Sequence, residues 1–253
     1  MKLYMLTSNK YTKKICPINI HFLNKYWPGL DITIVGYEDV LELKNLPSNV
    51  NVVSVGYQFK FGKIWSSGLI PFFKKISDEY FILIFDDHIL LNEVDKNKIK
   101  ILEEQFKLKK ADKAMIGGGL PLSKTTKINN DLLLYNQGID YRTSLHPAIW
   151  TKKYFLHYLR PGMTSWDFEL VNNKEARFDK ARIINLAYDY VDDSTGLQPK
   201  EQHTYSMLEL YTKGKININD SGEVITNQPS SCFFNKKDLQ YIWDNIHNKE
   251  NNI

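Results

Sequence analysis

The stretch Tyr80-Phe81-Ile82-Leu83-Ile84-Phe85, followed at once by Asp86-Asp87-His88, decides the fold. Six consecutive apolar or aromatic residues show no alternation of faces, so a strand formed here is covered on both sides, as at the centre of a parallel sheet. The three polar residues then fall at its carboxyl end, the edge at which open α/β sheets bind ligands.

Upstream, Leu3 to Leu6, Ile32 to Val35 and Asn51 to Val55 read as strands. Between them the spacing predicts a helix from about Thr12 to Tyr26, with Pro17 near its first turn or kinking it, and later a helical stretch from about Ile64 to Asp78 interrupted by Pro71. This is a β-α-β opening. Downstream, Asp95 can cap a helix carrying Ile99, Leu102 and Phe106 on one face, and Ala114 to Ile116 reads as a strand running into Gly117-Gly118-Gly119. Leu132 to Tyr135 and Tyr141 to Leu145 read as short, antiparallel strands. Thr151 to about Leu159 reads as a helix, and another starts near Ser165 to Glu169. Near the end, Asn235 can cap a helix with Leu239, Ile242, Trp243 and Ile246 on one side, before a disordered tail from Asn248.

The 253 residues are 43% apolar, enough for a large core and far from a disordered composition. Net charge is only +4, with lysines scattered in pairs beside helices, a pattern that does not suggest nucleic acid as a partner. Cys16 and Cys232 have no zinc-ligand spacing and require no disulfide framework. No apolar run approaches the ~20 residues that span a bilayer, and the start of the chain turns polar too early for a signal peptide, so a cytoplasmic protein is expected.

Carboxylates just beyond a central strand suit a divalent cation that bridges them to phosphate oxygens. Asp86 and His88 project to the same side of an extended backbone and can chelate together. Oxygen ligands suit magnesium or manganese, and a histidine ligand tilts the choice towards manganese. Two acidic residues can equally just end a strand at the surface.

The run Trp65 to Leu69 followed by Ile76 to His88 resembles the donor half of the GT-A glycosyltransferases, whose acidic motif after a central strand is DxD or, in some members, DxH. The resemblance spans roughly residues 1 to 170, and His88 departs from the commoner form. It implies a GT-A-like, Rossmann-type mixed and mainly parallel α/β sheet flanked by helices, with a small C-terminal helical extension. Residues 1–230 would form the domain, with a donor half to about 120 and an acceptor half beyond, and residues 231–253 the helix and tail. Asp86, Asp87 and His88 would hold Mn2+ or Mg2+. Thr7, Ser8, Asp39 and Trp65, with both aspartates, would bind a nucleoside-diphosphate sugar.

A second run, Ser144 to Trp150 with Ser165 to Glu169, resembles the acceptor half of inverting members, where an acidic residue near a helix start is the base. Glu169 is then the first choice and Asp167 the second, with His146, Trp150 and Trp166 around a glycan or other acceptor. Some members complete the metal shell with a late histidine, for which His203 is the candidate here, although a lone histidine is more often an ordinary surface residue. Against this, Trp150, Trp166 and Phe168 can be core aromatics and the carboxylates a helix N-terminal charge set, while Trp65 can simply fill the core. A metal-dependent phosphoesterase or nucleotidyltransferase, and a carbohydrate-binding protein without catalysis, remain the alternatives.

Overall fold

The computed structural model describes residues 1–61, 64–90, 92–116, 125–129 and 132–187. It also gives the backbone of short strands at 190–193, 196–199, 207–209, 211–212 and 215–216, and residues 237–238, 241–242 and 244–245.

In chain order, β1 (Lys2–Leu6) leads into α1 (Asn9–Tyr26), β2 (Asp31–Gly36), β3 (Val50–Ser54), α2 (Gln58–Phe61), α3 (Ser66–Lys75), β4 (Tyr80–Phe85) and β5 (His88–Leu90). Then come α4 (Lys96–Leu108), β6 (Lys113–Met115), β7 (Thr125–Asn129), β8 (Leu132–Tyr135), β9 (Ala148–Thr151), α5 (Lys152–Tyr158), α6 (Asn173–Ala176) and β10 (Ile183–Leu186).

Among the described residues, nine strands form one sheet in the order β3-β2-β1-β4-β9-β6-β10-β8-β7. The first four run parallel, with Leu3 to Leu6 in register with Ile82 to Phe85. β9 is antiparallel to both β4 and β6, β6 and β10 run parallel, and β8 returns antiparallel to β10. The expected class, an α/β fold with a mixed, largely parallel sheet between helices, is what the chain adopts.

β4 shows why its sequence does not alternate. Ile82 and Ile84 enter one core with α1 and α4, while Phe81 and Leu83 enter the other with α3 and α5. On the second face Phe73, Phe81 and Phe155 interlock with ring centroids 4.8–5.7 Å apart, a geometry that adds specific aromatic contact to buried area.

The capping signals act as read. Asp95 accepts from the N–H groups of Asn97 and Lys98 and starts α4, which buries Ile99, Leu102 and Phe106. Thr151 accepts from Tyr154 N–H and starts α5. Pro17 lies inside α1, beyond its first turn, because that helix begins earlier than expected, at Asn9. Pro71 likewise lies inside α3 rather than ending it.

Tyr141 to Leu145 is not a strand. Tyr141 takes a left-handed φ of 64°, Ser144 N–H closes a turn onto Tyr141 O at 3.0 Å, and the buried Lys113 Nζ donates to Arg142 O at 3.2 Å and Ser144 O at 2.6 Å. With Tyr141 in the left-handed region and these carbonyls turned to the buried lysine, the segment makes a tight turn instead of an extended strand. The ladder is taken up by β9 instead.

The C-terminal segment is helical at its described positions: Ile242 is buried, Tyr241 stacks on His21 at 4.0 Å, and the buried Asp238 takes Lys25 and Tyr26 of α1. Asn235, Leu239, Trp243 and Ile246 lie outside the described residues, as do Gly117 to Gly119 and His203. Among the described residues no helix is long and apolar enough to cross a membrane.

Candidate functional site

β1 and β4 end side by side, and the residues that follow them meet. Asp86 N–H continues the ladder to Leu6 O at 3.0 Å, and Thr7 Oγ1 donates to Asp86 Oδ2 at 2.5 Å. Successive N–H groups of a strand face opposite sides, so Phe85 N–H points towards β9. The β4–β9 register stops at Leu83–Ala148, and His88 Nδ1 accepts the stranded Phe85 N–H at 3.2 Å. A neutral imidazole that accepts at Nδ1 carries its proton on Nε2. His88 Nδ1 therefore caps the strand end.

The turn is gripped from beneath by Asn19 of α1, fully buried, whose amide approaches Asp86 O at 2.7 Å, His88 O at 3.0 Å and Phe85 O at 3.3 Å. Nothing in the spacing singles Asn19 out, beyond its being a polar residue on the apolar face of an amphipathic helix.

Asp86 is buried rather than lying at an accessible sheet edge, whereas Asp87 is half-buried. Burial first, and the neighbouring Asp87 carboxylate second, push the Asp86 carboxyl up to about 8. Cys16, beneath the same turn, is buried and its thiol is pushed well up by desolvation, which makes it a core residue rather than a nucleophile.

Thr7 and Ser8 follow β1, and Asp39 follows β2. Gly36 lets them approach: a Cβ there would lie 2.6 Å from Thr7 Cγ2 and 2.5 Å from Val40 Cγ1. Ser8 starts α1 through its carbonyl, which accepts from Tyr11 and Thr12 N–H, and not through its hydroxyl. Asp39 pairs with Lys13 at 3.6 Å. Gln58, not anticipated from sequence, knits this edge: Asn9 N–H donates to Gln58 Oε1, and Gln58 N–H donates to Glu38 Oε2, each at 2.8 Å. Trp65 is half-buried and faces Phe168 with ring centroids 5.9 Å apart, on the core side.

The second cluster divides. Trp150 is fully buried, its β9 position flanked by Phe81 and Lys113 and its ring covered by Lys113 Nζ at 4.2 Å. It is a core aromatic and does not reach an acceptor. Trp166, in contrast, is 69% exposed. His146 is exposed and stacks on His88, 6.0 Å between centroids and 11° between planes.

The helix start near Ser165 widens into a π-helical turn, Asp167–Val171, closed by Asn172 N–H to Asp167 O at 3.3 Å. Asp167 turns back to accept from Thr164 N–H at 2.8 Å and Thr164 Oγ1 at 2.7 Å, bonds that hold its carboxyl below the usual range. Glu169 points the other way, taking Leu145 N–H on Oε1 at 2.5 Å and lining a cleft of about 230 Å³ with Asp140, Tyr141, Leu170, Asn173 and Arg177.

Thus Asp86, Asp87, His88 and Thr7 are together, His146 joins them through His88, and Glu169 is tied to the residue before His146. Trp150 stands apart in the core, and the half-buried Trp65 packs against that core. Among the described residues no group of three or more His, Cys, Asp or Glu side chains is placed to hold a metal ion.

No family model matches the chain, and no curated protein matches it significantly. Solved structures with a related course of chain include TarS from S. aureus (15% identity, 74% of this chain and 58% of that one, TM-score 0.48). Bifunctional IspDF from Campylobacter jejuni shares 18% identity over 73% of this chain and 48% of that one, at TM-score 0.42. A cytidylyltransferase from Leptospira borgpetersenii shares 11% over 99% of this chain and 94% of that one, at TM-score 0.48. The chain spans about half the length of the first two. Such values assign it to no family.

Proposed function

We propose that the chain is a transferase that moves a sugar from a nucleoside diphosphate to the hydroxyl of a glycan or other acceptor. The observation that supports this best is the meeting of the two motif clusters: the acidic turn after β4 and the segment carrying His146 and Glu169 are joined by the His88–His146 stack. A donor at the carboxyl edge of β1, β2 and β4 would then lie beside a carboxylate able to serve an acceptor.

In the reaction, the acceptor oxygen bonds to the anomeric carbon as the bond from that carbon to the diphosphate oxygen breaks. The electron pair leaves with the nucleoside diphosphate, and the acceptor proton passes to Glu169, with inversion at carbon. Asp167, held by Thr164, positions the turn that carries Glu169. Thr7, Ser8 and Asp39 line the donor edge, and Trp166 is the exposed aromatic of the acceptor side.

The carboxylates fit a cation in one of the two expected ways. Asp86 and Asp87 repel each other when both are ionised, which a divalent ion would relieve. Magnesium is commonly held by one or two carboxylates plus substrate phosphates. His88, accepting at Nδ1, does not fit the ligand set, which favours Mg2+ over Mn2+. When bound, the ion would neutralise charge on the departing diphosphate.

The test is thermal unfolding with UDP- and GDP-sugars, with and without Mg2+ or Mn2+, since a ligand at 100 times its Kd stabilises by about 2.7 kcal/mol. A metal-enhanced rise that Asp87→Asn abolishes, with release of nucleoside diphosphate, is expected. Release of pyrophosphate from a nucleoside triphosphate incubated with a sugar 1-phosphate would instead mark a nucleotidyltransferase, and no stabilisation by any of the nucleotide sugars would sink the proposal.

A further inference from the structure

The cleft beside Glu169 has a wall whose conformation is costly. Tyr141 opens it at φ 64°, a left-handed conformation that costs a residue with a side chain about 1–2 kcal/mol and that glycine adopts freely. The turn it starts requires that backbone, yet the position holds a large aromatic residue, 48% exposed, that lines the cleft. Strain held at such a site signals a use for the side chain.

The same cleft is lined by polar groups fixed by one another. Asn173, only 8% exposed, donates from Nδ2 to Asp140 Oδ1 at 2.9 Å and accepts Arg142 N–H on Oδ1 at 3.3 Å. Arg177 reaches Gly138 O at 3.1 Å and lies 3.6 Å from Asp140 Oδ1. Carboxylates and cations on the walls, Asp140 and Glu169 against Lys174 and Arg177, balance in formal charge. The space, about 230 Å³, is below the roughly 300–1,000 Å³ of sites for drug-sized ligands, too small for a nucleotide sugar.

An aromatic face, a neutral set of preplaced hydrogen-bond donors and acceptors, and a small volume together describe a site for an uncharged polyhydroxylated ring. We propose that this cleft is a saccharide-binding subsite, with Tyr141 as its stacking platform and Asp140, Asn173 and Arg177 as its hydroxyl-recognising wall. Its role as the place where a glycan acceptor is held rests on the transferase reading, because Glu169 lines it; as a sugar-binding cleft it stands alone.

Saturation-transfer NMR with the methyl glycosides of glucose, galactose and N-acetylglucosamine tests it on the whole chain. Tyr141→Gly removes the platform while allowing the same φ, and Tyr141→Asn, a residue that also tolerates that φ, guards against a folding defect in the first variant. At least one glycoside should show transfer to wild type, and both variants should bind it about tenfold more weakly, the loss of one aromatic contact. Thermal stability should not fall, because glycine and asparagine both adopt the left-handed φ at lower cost, and UDP affinity should be unchanged. Absence of transfer from all three glycosides, or wild-type binding by both variants, would overturn the subsite. Sugar binding that Tyr141→Gly abolishes, in a chain that binds no nucleotide, would remove the transferase reading and leave the subsite standing.

Discussion

Glu169 and Asp167 are two residues apart and chemically alike, but their surroundings separate them. Asp167 spends its carboxylate on Thr164, whereas Glu169 takes Leu145 N–H and opens onto the cleft. A well-placed general base contributes about 10²–10⁴-fold, so Glu169→Gln is expected to lower turnover by that factor with donor affinity unchanged. The amide oxygen of the variant still accepts Leu145 N–H, which keeps the turn in place. Asp167→Asn should cost only stability. Single-turnover rates alongside donor Kd for both variants check this, and a reversed pattern would exchange the roles. The pairing of two carboxylates was legible in the sequence. Which of them caps the helix was not, because the π-helical turn alters the angle between them.

At the scale of elements, α1 shapes the acidic turn. A single buried amide on that helix, Asn19 Nδ2, faces the carbonyls of Asp86 and His88. Asn19→Ala leaves those buried carbonyls short of a donor, a defect that costs about 1–3 kcal/mol. The expected result in urea unfolding is a loss of that size, accompanied by weaker nucleotide binding because the turn is no longer fixed. Unchanged nucleotide affinity in a destabilised variant would confine Asn19 to the fold. The capping of α4 by Asp95 and of α5 by Thr151 was readable because each depends on neighbours in sequence. The strand expected at Tyr141 to Leu145 failed because Lys113, 29 residues before Arg142 and 31 before Ser144, claims Arg142 O and Ser144 O.

For the whole molecule, that same lysine links structure to pH. Its ammonium is buried over Trp150 and faces Glu169 and Arg142; burial, above all, brings it down to about 7 from an ordinary value of 10.5. Between those values the unfolded chain binds the extra proton, so stability rises with pH, by up to about 1.4 kcal/mol per unit for one group. Below about 7 both states are protonated and the cost of burying the charge is paid in full. The uncharged amine keeps two N–H donors, enough for both carbonyls. Denaturant unfolding from about pH 7 to about pH 9 should therefore show increasing stability, and Lys113→Met should flatten that slope. An unaltered slope in the variant would assign the effect to other groups.

The sequence by itself determined the parallel opening, the two-faced burial of Tyr80 to Phe85 and the position of Asp86-Asp87-His88 at the carboxyl edge of that strand. Hydrophobic periodicity and caps are local, and a run covered on both faces carries its own signature. Only the tertiary structure decided that Asp86 is buried, that His88 caps a strand end, that Trp150 is core while Trp166 is exposed, and that Tyr141 walls a cleft. Each of these depends on groups far apart in the chain brought together by the sheet: β9 enters between β4 and β6, ending the ladder that leaves Phe85 N–H to His88 and enclosing the indole of Trp150 on its way.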